Sequence, residues 1–573
     1  MATTGILRSR RSAAQLHAIA GVEREIRAID PAAGRKYLRD FREAYRSYEK
    51  VLTPSDVREE IIKAGIVLVA DYHALPNSQR YLASLLHDPE LHQRPVVLGV
   101  ETIFSRDQHI LDEWFRGEIE EGELRQRIRF ELDWGYDWPS FYELLSTARG
   151  HGAPVYGLDC MPREDLRKIG ARDRHAADKI AELRRQHPDA LIAVLFGESH
   201  LAPQHLPALL QQRLPVEPIL TVLQNVDALY WRAAGEARDH VEAVEVRKEV
   251  RKDIRESVLC VFNATPLEKY ENYRLCLDRW RRDDHGAPDL GPTLYNLIEG
   301  MVRFLGINQY SQHNTTQPKL LVDLMPEVYS RSSDALLRRL LSRRGFTAGH
   351  RRSLLRQVRE RGSVYLTPIN AVYVRQFRMT SCAEDATRFL HQACRGLPNL
   401  SNGKPLAPHA AQSLDKDDLF YMSVFEHALA FFGSRILHPA RPAFRDTDLA
   451  ELFDITREDL EHQTSLPFVD AVEALDFLTQ HRAQDFRNSH RFPRRSSALE
   501  SLAPAPAFTG RKYEYTSEQL GYLTGTDLYD AYIEGRLTTA ALRKLFLTHI
   551  EEPGVAREAY VQLKKRLRSG QRA

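Results

Sequence analysis

Cysteine is scarce. Cys160, Cys260, Cys276, Cys382 and Cys394 are five in 573 residues, odd in number, widely scattered and without a CxxC pair. That excludes a disulfide scaffold and a cysteine-based structural zinc site. No run of about 20 apolar residues occurs, so no membrane span is expected. The start, Met1-Ala-Thr-Thr-Gly-Ile-Leu-Arg-Ser-Arg-Arg11, is basic but leads into polar residues rather than the apolar core of an export signal. A cytoplasmic protein is the resulting expectation. Net charge is also small: 80 Lys and Arg against 78 Asp and Glu leave +2, which selects no partner. No internal repeat is visible. What remains is an apolar content of 43%, enough for globular cores, and a length that predicts two or three domains.

The first half alternates strand and helix. Ile66-Val-Leu-Val-Ala70, Pro95-Val-Val-Leu-Gly-Val-Glu101, Val155-Tyr-Gly-Leu-Asp159, Leu191-Ile-Ala-Val-Leu-Phe196 and Pro218-Ile-Leu-Thr-Val-Leu223 are short apolar runs, and Val258–Phe262 adds one more. Helical patterns or turns separate them. Such alternation predicts an α/β domain with a mostly parallel sheet and flanking helices. Residues 10–60 read as helical. From about 285 the alternation gives way to helical spacing over 294–305, 333–344, 349–361, 383–394 and 419–437, a mainly helical C-terminal region. The expected division is a helical segment (1–40), the α/β domain (40–280), a helical domain of unassigned role (285–490), a linker (491–512) and a small helical tail (513–573).

Polar residues collect where the apolar runs stop. Asp71 and His73 follow the first run, Glu101 and Asp159 end two others, and Glu198 and His200 follow Gly197. Singly, a histidine just past a strand is a loop donor. Together they place two imidazoles and several carboxylates at the carboxyl rim of one sheet, where open α/β sheets bind ligands. His73, Glu101 and His200 could hold one divalent metal ion, with Glu198 or Asp71 as general base on a bound water.

The same residues carry a resemblance. Arg94-Pro-Val-Val-Leu-Gly-Val-Glu101, Asp112-Glu-Trp-Phe-Arg-Gly-Glu118, Asp133-Trp-Gly-Tyr-Asp-Trp138, Arg172-Asp173 and Gly197-Glu-Ser-His200 are similar to motifs of the ChaN-like haem-binding domain. That domain belongs to a superfamily with Tiki, TraB/PrgY and erythromycin-esterase proteins, and the likeness covers about 62–235. Ala70-Asp71-Tyr72-His73 stands where the superfamily has Gly-Glu-x-His. The resemblance implies a ChaN/Tiki-like fold and a site holding haem or a related iron cofactor. Its cofactor-binding candidates are His73, Glu101, His200, Tyr72, Asp159 and Arg172, with Tyr136 and Tyr156 as further tyrosines. The superfamily's hydrolases imply instead metal-dependent hydrolysis, with His73, Glu101 and His200 on the metal. A non-catalytic interaction scaffold is the third reading.

Other features fit structural roles. The aromatic group Trp134, Tyr136, Trp138, Phe141 and Tyr142 suits core packing, and His205 a structural contact. The arginines between 338 and 361 read as a solvated helical face, so the expected partner is a small-molecule ligand or cofactor and not nucleic acid. Homo-oligomerisation is left open.

Overall fold

The computed structural model describes residues 2–30, 36–161, 169–236, 240–251, 254–281, 288–307, 324–330, 333–395, 400–401, 404–405, 414–488 and 502–568. The chain divides into two compact units. One comprises residues 22–286, the other 1–21 together with 287–573. Of the expected linker, 491–501 lies outside the described residues, as does most of the loop expected over 396–412.

The α/β unit is built on an eight-stranded sheet of β1 (Lys50–Leu52), β2 (Ile66–Asp71), β3 (Val96–Phe104), β4 (Val155–Asp159), β5 (Leu191–Gly197), β6 (Ile219–Gln224), β7 (Ala243–Arg251) and β8 (Ile254–Val261). The order is β1-β7-β8-β6-β2-β5-β3-β4. Pairing is parallel from β8 through β4, while β7 runs antiparallel to both β8 and β1. The apolar runs are continuous because both faces are covered, yet they still alternate. Val67 and Val69, with Leu191, Ala193 and Leu195, join one core. Ile66, Leu68 and Ala70, with Ile192, Val194 and Phe196, join the other. Each valine, leucine, isoleucine or phenylalanine among them contributes about 1.5–3 kcal/mol when fully buried. Ala70 places its methyl inside this second core.

The chain crosses from β2 to β3, returns to fill the gap with β5, and then moves to the far side of β2 with β6. The carboxyl ends of β2 and β5 therefore flank a topological switch, the position at which such sheets take ligands. Helices relevant to this rim are α1 (Ala2–Ile29, of which residues from 22 count with this unit), α2 (Lys36–Ala44), α3 (Pro76–Leu86), α4 (Trp138–Gly150), α5 (Ile169–Gln186) and α6 (Pro266–Arg281). Two strands escape the sequence reading. β1 interrupts residues 10–60, which read as helical, and β7 forms a hairpin with β8. β1 is the edge strand and β7 lies next to it, and short or charged strands there lack an apolar run.

The second unit is mainly helical. α11 (Lys416–Leu437) is capped by Asp415, which accepts from the Asp418 amide at 2.7 Å. It packs against α13 (Arg511–Ile533), where Gly521 and Gly525 admit its backbone: a Cβ at either would lie 3.0 Å from Val424 O or 2.7 Å from Ala428 O. α7 (Gly291–Leu305), α10 (Met379–Arg395), α12 (Phe468–Asn488) and α14 (Val555–Arg568) complete this core. Helices dominate the unit, as the sequence reading expects, and three short strands that it did not place join them. β9 (Glu327–Ser330), β10 (Ser363–Leu366) and β11 (Ala371–Val374) form a three-stranded sheet beside α8 (Asp334–Arg343) and α9 (Ala348–Arg361). Four-residue strands are too short to announce a period of two against neighbouring helical patterns.

Candidate functional site

The strand ends of the α/β unit deliver a polar cluster centred on Glu101. Pairing between β3 and β4 slips between Val100 and Phe104, and Glu101 sits within that irregularity. Its Oε1 accepts from Arg172 Nη2 at 2.6 Å, and its Oε2 accepts from the Gly197 amide at 2.6 Å. Nε2 of His200 stands 3.8 Å from Oε1, and Nε2 of His73 stands 3.9 Å from Oε2. Two imidazoles thus face one carboxylate.

Each imidazole has a second carboxylate behind it. Asp71 Oδ2 accepts from His73 Nδ1 at 2.8 Å, and Asp173 Oδ1 accepts from His200 Nδ1 at 2.5 Å. An ionised carboxylate only accepts, so the proton sits on Nδ1 and Nε2 is aimed at Glu101. Asp71 is itself held by the Gln79 amide of α3, which accepts from Ser140 Oγ at 3.1 Å. Burial pushes the Asp71 carboxyl above its ordinary range, with His73 opposing. Arg172 joins the acids: Nε and Nη2 grip Asp159 at 2.8 and 2.9 Å while Nη2 also serves Glu101. Burial disfavours this guanidinium's charge, but Glu101 and Asp159 outweigh it and hold its pKa above the usual value.

Two expected residues lie apart from this hub. Glu198 turns to Lys269 of α6, which donates at 3.0 and 3.2 Å. Burial raises the Glu198 carboxyl and the Lys269 ammonium opposes that. Tyr72 lies beneath the same ammonium, 4.5 Å from its ring centre, and burial raises its phenol. Several partners had no sequence signal. Tyr37 donates to Asp173 Oδ2 at 2.9 Å and stacks on His205 at 3.8 Å, while His205 Nε2 lies 3.2 Å from Asp40. Tyr37 and Asp40 sit three apart on α2, a spacing any solvated helix shows. Gln79 and Lys269 were equally invisible.

Among the described residues no group of three or more His, Cys, Asp or Glu side chains is arranged to hold a metal ion. The reason is local. Both Glu101 oxygens already accept hydrogen bonds, one of them from a buried guanidinium, so a dication on His73, Glu101 and His200 would sit against a fixed positive charge. The divalent ion expected on those three residues gains no support.

Gly197 decides what His73 can offer a larger ligand. A Cβ there would lie 3.0 Å from Glu101 Oε2 and 3.1 and 3.2 Å from His73 Cε1 and Nε2. His73 Nε2 therefore lies close to the Gly197 backbone and the Glu101 carboxylate. Its ring instead lies against Trp134 and Tyr136, with centroids at 4.4 and 5.3 Å. Tyr136 meets Trp280 at 5.1 Å, and Trp280 is 46% exposed while its indole donates to Gly135 O at 3.0 Å. The aromatic group read as core thus divides. Trp134, Trp138 and Phe141 are core, whereas Tyr136 and Tyr142 are only partly buried against it. This wall suits a flat apolar ligand, with the Tyr136 hydroxyl as an oxygen donor. A groove of about 500 Å³ on α5, lined by His175, Lys179, Arg185 and Arg213 among others, includes none of these residues.

Residues 57–196 match the family model described as haem-binding uptake, Tiki superfamily, ChaN. A solved structure described as cofacial heme binding to ChaN of Campylobacter jejuni is similar to this chain at 14% identity and a TM-score of 0.26. That match covers 37% of this chain and 92% of the ChaN chain. No curated protein matches.

Proposed function

We propose that the α/β unit binds haem or a related iron cofactor against the wall of His73, Trp134, Tyr136 and Trp280. The observation that carries this reading is the wall itself, a partly exposed aromatic surface beside the strand ends of the segment matched by the haem-binding family. Tyr136 Oη would supply the donor to the iron and the exposed Trp280 indole would cover the macrocycle, with Trp134 packed behind them. His73 backs the wall with its ring face. Asp71 holds His73, and Arg172, Asp159, His200 and Glu101 form the polar layer behind it. Bound iron supplies the coordination bond and any electron transfer. The carboxylates expected as general bases, Asp71 and Glu198, are committed to His73 and Lys269, so no hydrolytic reading is preferred.

Titrating haem into the full chain while recording the absorption spectrum tests this. A Soret band that saturates at a fixed stoichiometry is expected, with affinity reduced about tenfold or more in Tyr136→Phe and in Trp280→Ala. An unchanged spectrum on adding haem, or equal binding by both variants, sinks the proposal.

A further inference from the structure

Between Asp334 and Arg361 the helical unit carries nine arginines (338, 339, 343, 344, 351, 352, 356, 359 and 361), no lysine, and only two acids, Asp334 and Glu360. The structure sorts them. Arg359 is taken by Asp334, Arg356 by Glu514, and Arg361 by Glu384 and Glu518. Those three arginines are structural. Arg338, Arg339, Arg343 and Arg352 are exposed, Arg351 is half-buried, and among the described residues none of the five lies within ion-pair distance of an acid.

Their positions follow from the fold beneath them. Leu337 and Leu341 of α8 and Leu355 and Val358 of α9 face a small core completed by Val364, Leu366, Ala371 and Tyr373 of the hairpin β10–β11. Arg339 and Arg343, four apart, emerge opposite that core on α8, and Arg338 beside them. A short turn, Arg344-Gly345-Phe346-Thr347, joins the helices, with Gly345 at φ 79° and Thr347 capping α9 through the His350 amide at 3.3 Å. Arg351 Nη1 donates to Ser342 Oγ at 3.0 Å, which draws the first turn of α9 beside the last turn of α8. Arg339, Arg343, Arg351, Arg352 and exposed His350 thus gather around one helix–turn–helix corner.

We propose that this corner docks on the phosphate backbone of double-stranded DNA. Charge complementarity selects the occupant. Arginine without acidic neighbours matches phosphate geometry, and the planar guanidinium can bind it in a bidentate way. Arg356 and Arg361 hold α9 to Glu514 and Glu518 of α13, so the exposed guanidiniums of the corner, and not an inserted helix, make the contact. Duplex DNA carries one phosphate charge per about 1.7 Å of helix axis, a density that adjacent guanidiniums at one corner meet together. A membrane surface fits less well, because Leu336 is the one exposed large apolar residue on these two helices.

Fluorescence anisotropy of the full chain with a mixed-sequence DNA duplex about 20 base pairs long tests this. Binding is expected to weaken steeply between about 50 and 200 mM salt, with a log–log slope near −4 to −5 for five phosphate contacts. The combined variant Arg339→Ala, Arg343→Ala, Arg351→Ala, Arg352→Ala is expected to bind at least tenfold more weakly and to lose about 3–4 of that slope. Arg457→Ala, on an exposed helix elsewhere in this unit, is expected to bind as the parent does. Arg339, Arg343 and Arg352 are exposed and Arg351 is half-buried, and matching circular dichroism melts establish that the variant is folded. Should the variant prove unstable, Arg339→Glu with Arg343→Glu replaces it, with the same direction expected. The proposal is overturned by absence of salt-sensitive DNA binding, by equal binding of the variant, or by tighter binding of duplex RNA or of phosphatidylserine vesicles than of DNA.

Discussion

The two units bury charge in different ways. In the α/β unit, acids and imidazoles from four strand ends converge on Glu101, and one guanidinium, Arg172, answers two carboxylates that are themselves buried. In the helical unit, some buried arginines reach acids that solvent still touches. Arg395 on α10 is an example, bonding Glu426 at 2.9 Å and also Glu551, whose side chains are 33% and 36% exposed. Parallel strands end together, so their last residues must share a rim. Convergence is not confined to the rim, since Arg361, Arg388 and Arg441 of the helical unit all meet the buried Glu384. What sets the rim apart is two imidazoles facing one carboxylate.

The largest expected effect tests that contrast directly. Arg172→Ala leaves Glu101 and Asp159 as buried carboxylates without their cation, and is expected to cost about 3–5 kcal/mol. Arg395→Ala should cost about 1–2 kcal/mol, because water reaches its partners. All five tryptophans fall between Trp114 and Trp280, so indole fluorescence reports the α/β unit alone while circular dichroism reports both. Urea unfolding followed by both probes separates the two costs. Equal costs would break the comparison.

A second effect has opposite signs in the two units. Burial pushes the Glu268 carboxyl of α6 up to about 8 from 4.5, with Arg80 opposing. Its contribution is complete below pH 4.5 and is lost as pH rises towards 8. Burial lowers His481 of α12 to about 4 from 6.5, with Asp485 opposing. That contribution is complete above pH 6.5 and is lost as pH falls towards 4. Each swing is on the order of 3–5 kcal/mol. Thermal melts from pH 4 to 8 should show the fluorescence transition falling at the alkaline end and the remaining ellipticity transition falling at the acid end. Glu268→Gln is expected to flatten the first trend alone, and a trend that survives it would remove Glu268 as the cause.

The smallest expected effects come from two glycines. Gly197→Ala forces a methyl against Glu101 and His73 and should cost about 1–3 kcal/mol. Gly349→Ala, in α9 with nothing within 4 Å, should stabilise the helical unit by about 0.5–1 kcal/mol. A stabilising Gly197→Ala would mean that the strand-end cluster is looser than its distances imply.

Much of this architecture was legible in advance. The runs at 66–70, 95–101, 155–159, 191–196 and 218–223 announced the parallel strands, because a strand covered on both faces must be apolar throughout. Asp71, His73, Glu101, Asp159, Glu198 and His200 were found because polar residues directly after such runs have nowhere to go but the rim. β1, β7 and β9–β11 were missed, being short, charged or at an edge. Tyr37, Gln79 and Lys269 were missed because each reaches the rim region from a helix, where its spacing matches that of any solvated residue.

By itself the sequence determined the sheet, the rim and the residue types gathered there, since burial on two faces writes itself into local composition. Only the tertiary structure decided which partner each residue takes. It gave both oxygens of Glu101 to Arg172 and Gly197, turned Glu198 to Lys269, and left the ring of His73 rather than its nitrogen against the aromatic wall. Partner choice depends on distances between segments tens of residues apart, and those distances exist only once the strands are in register.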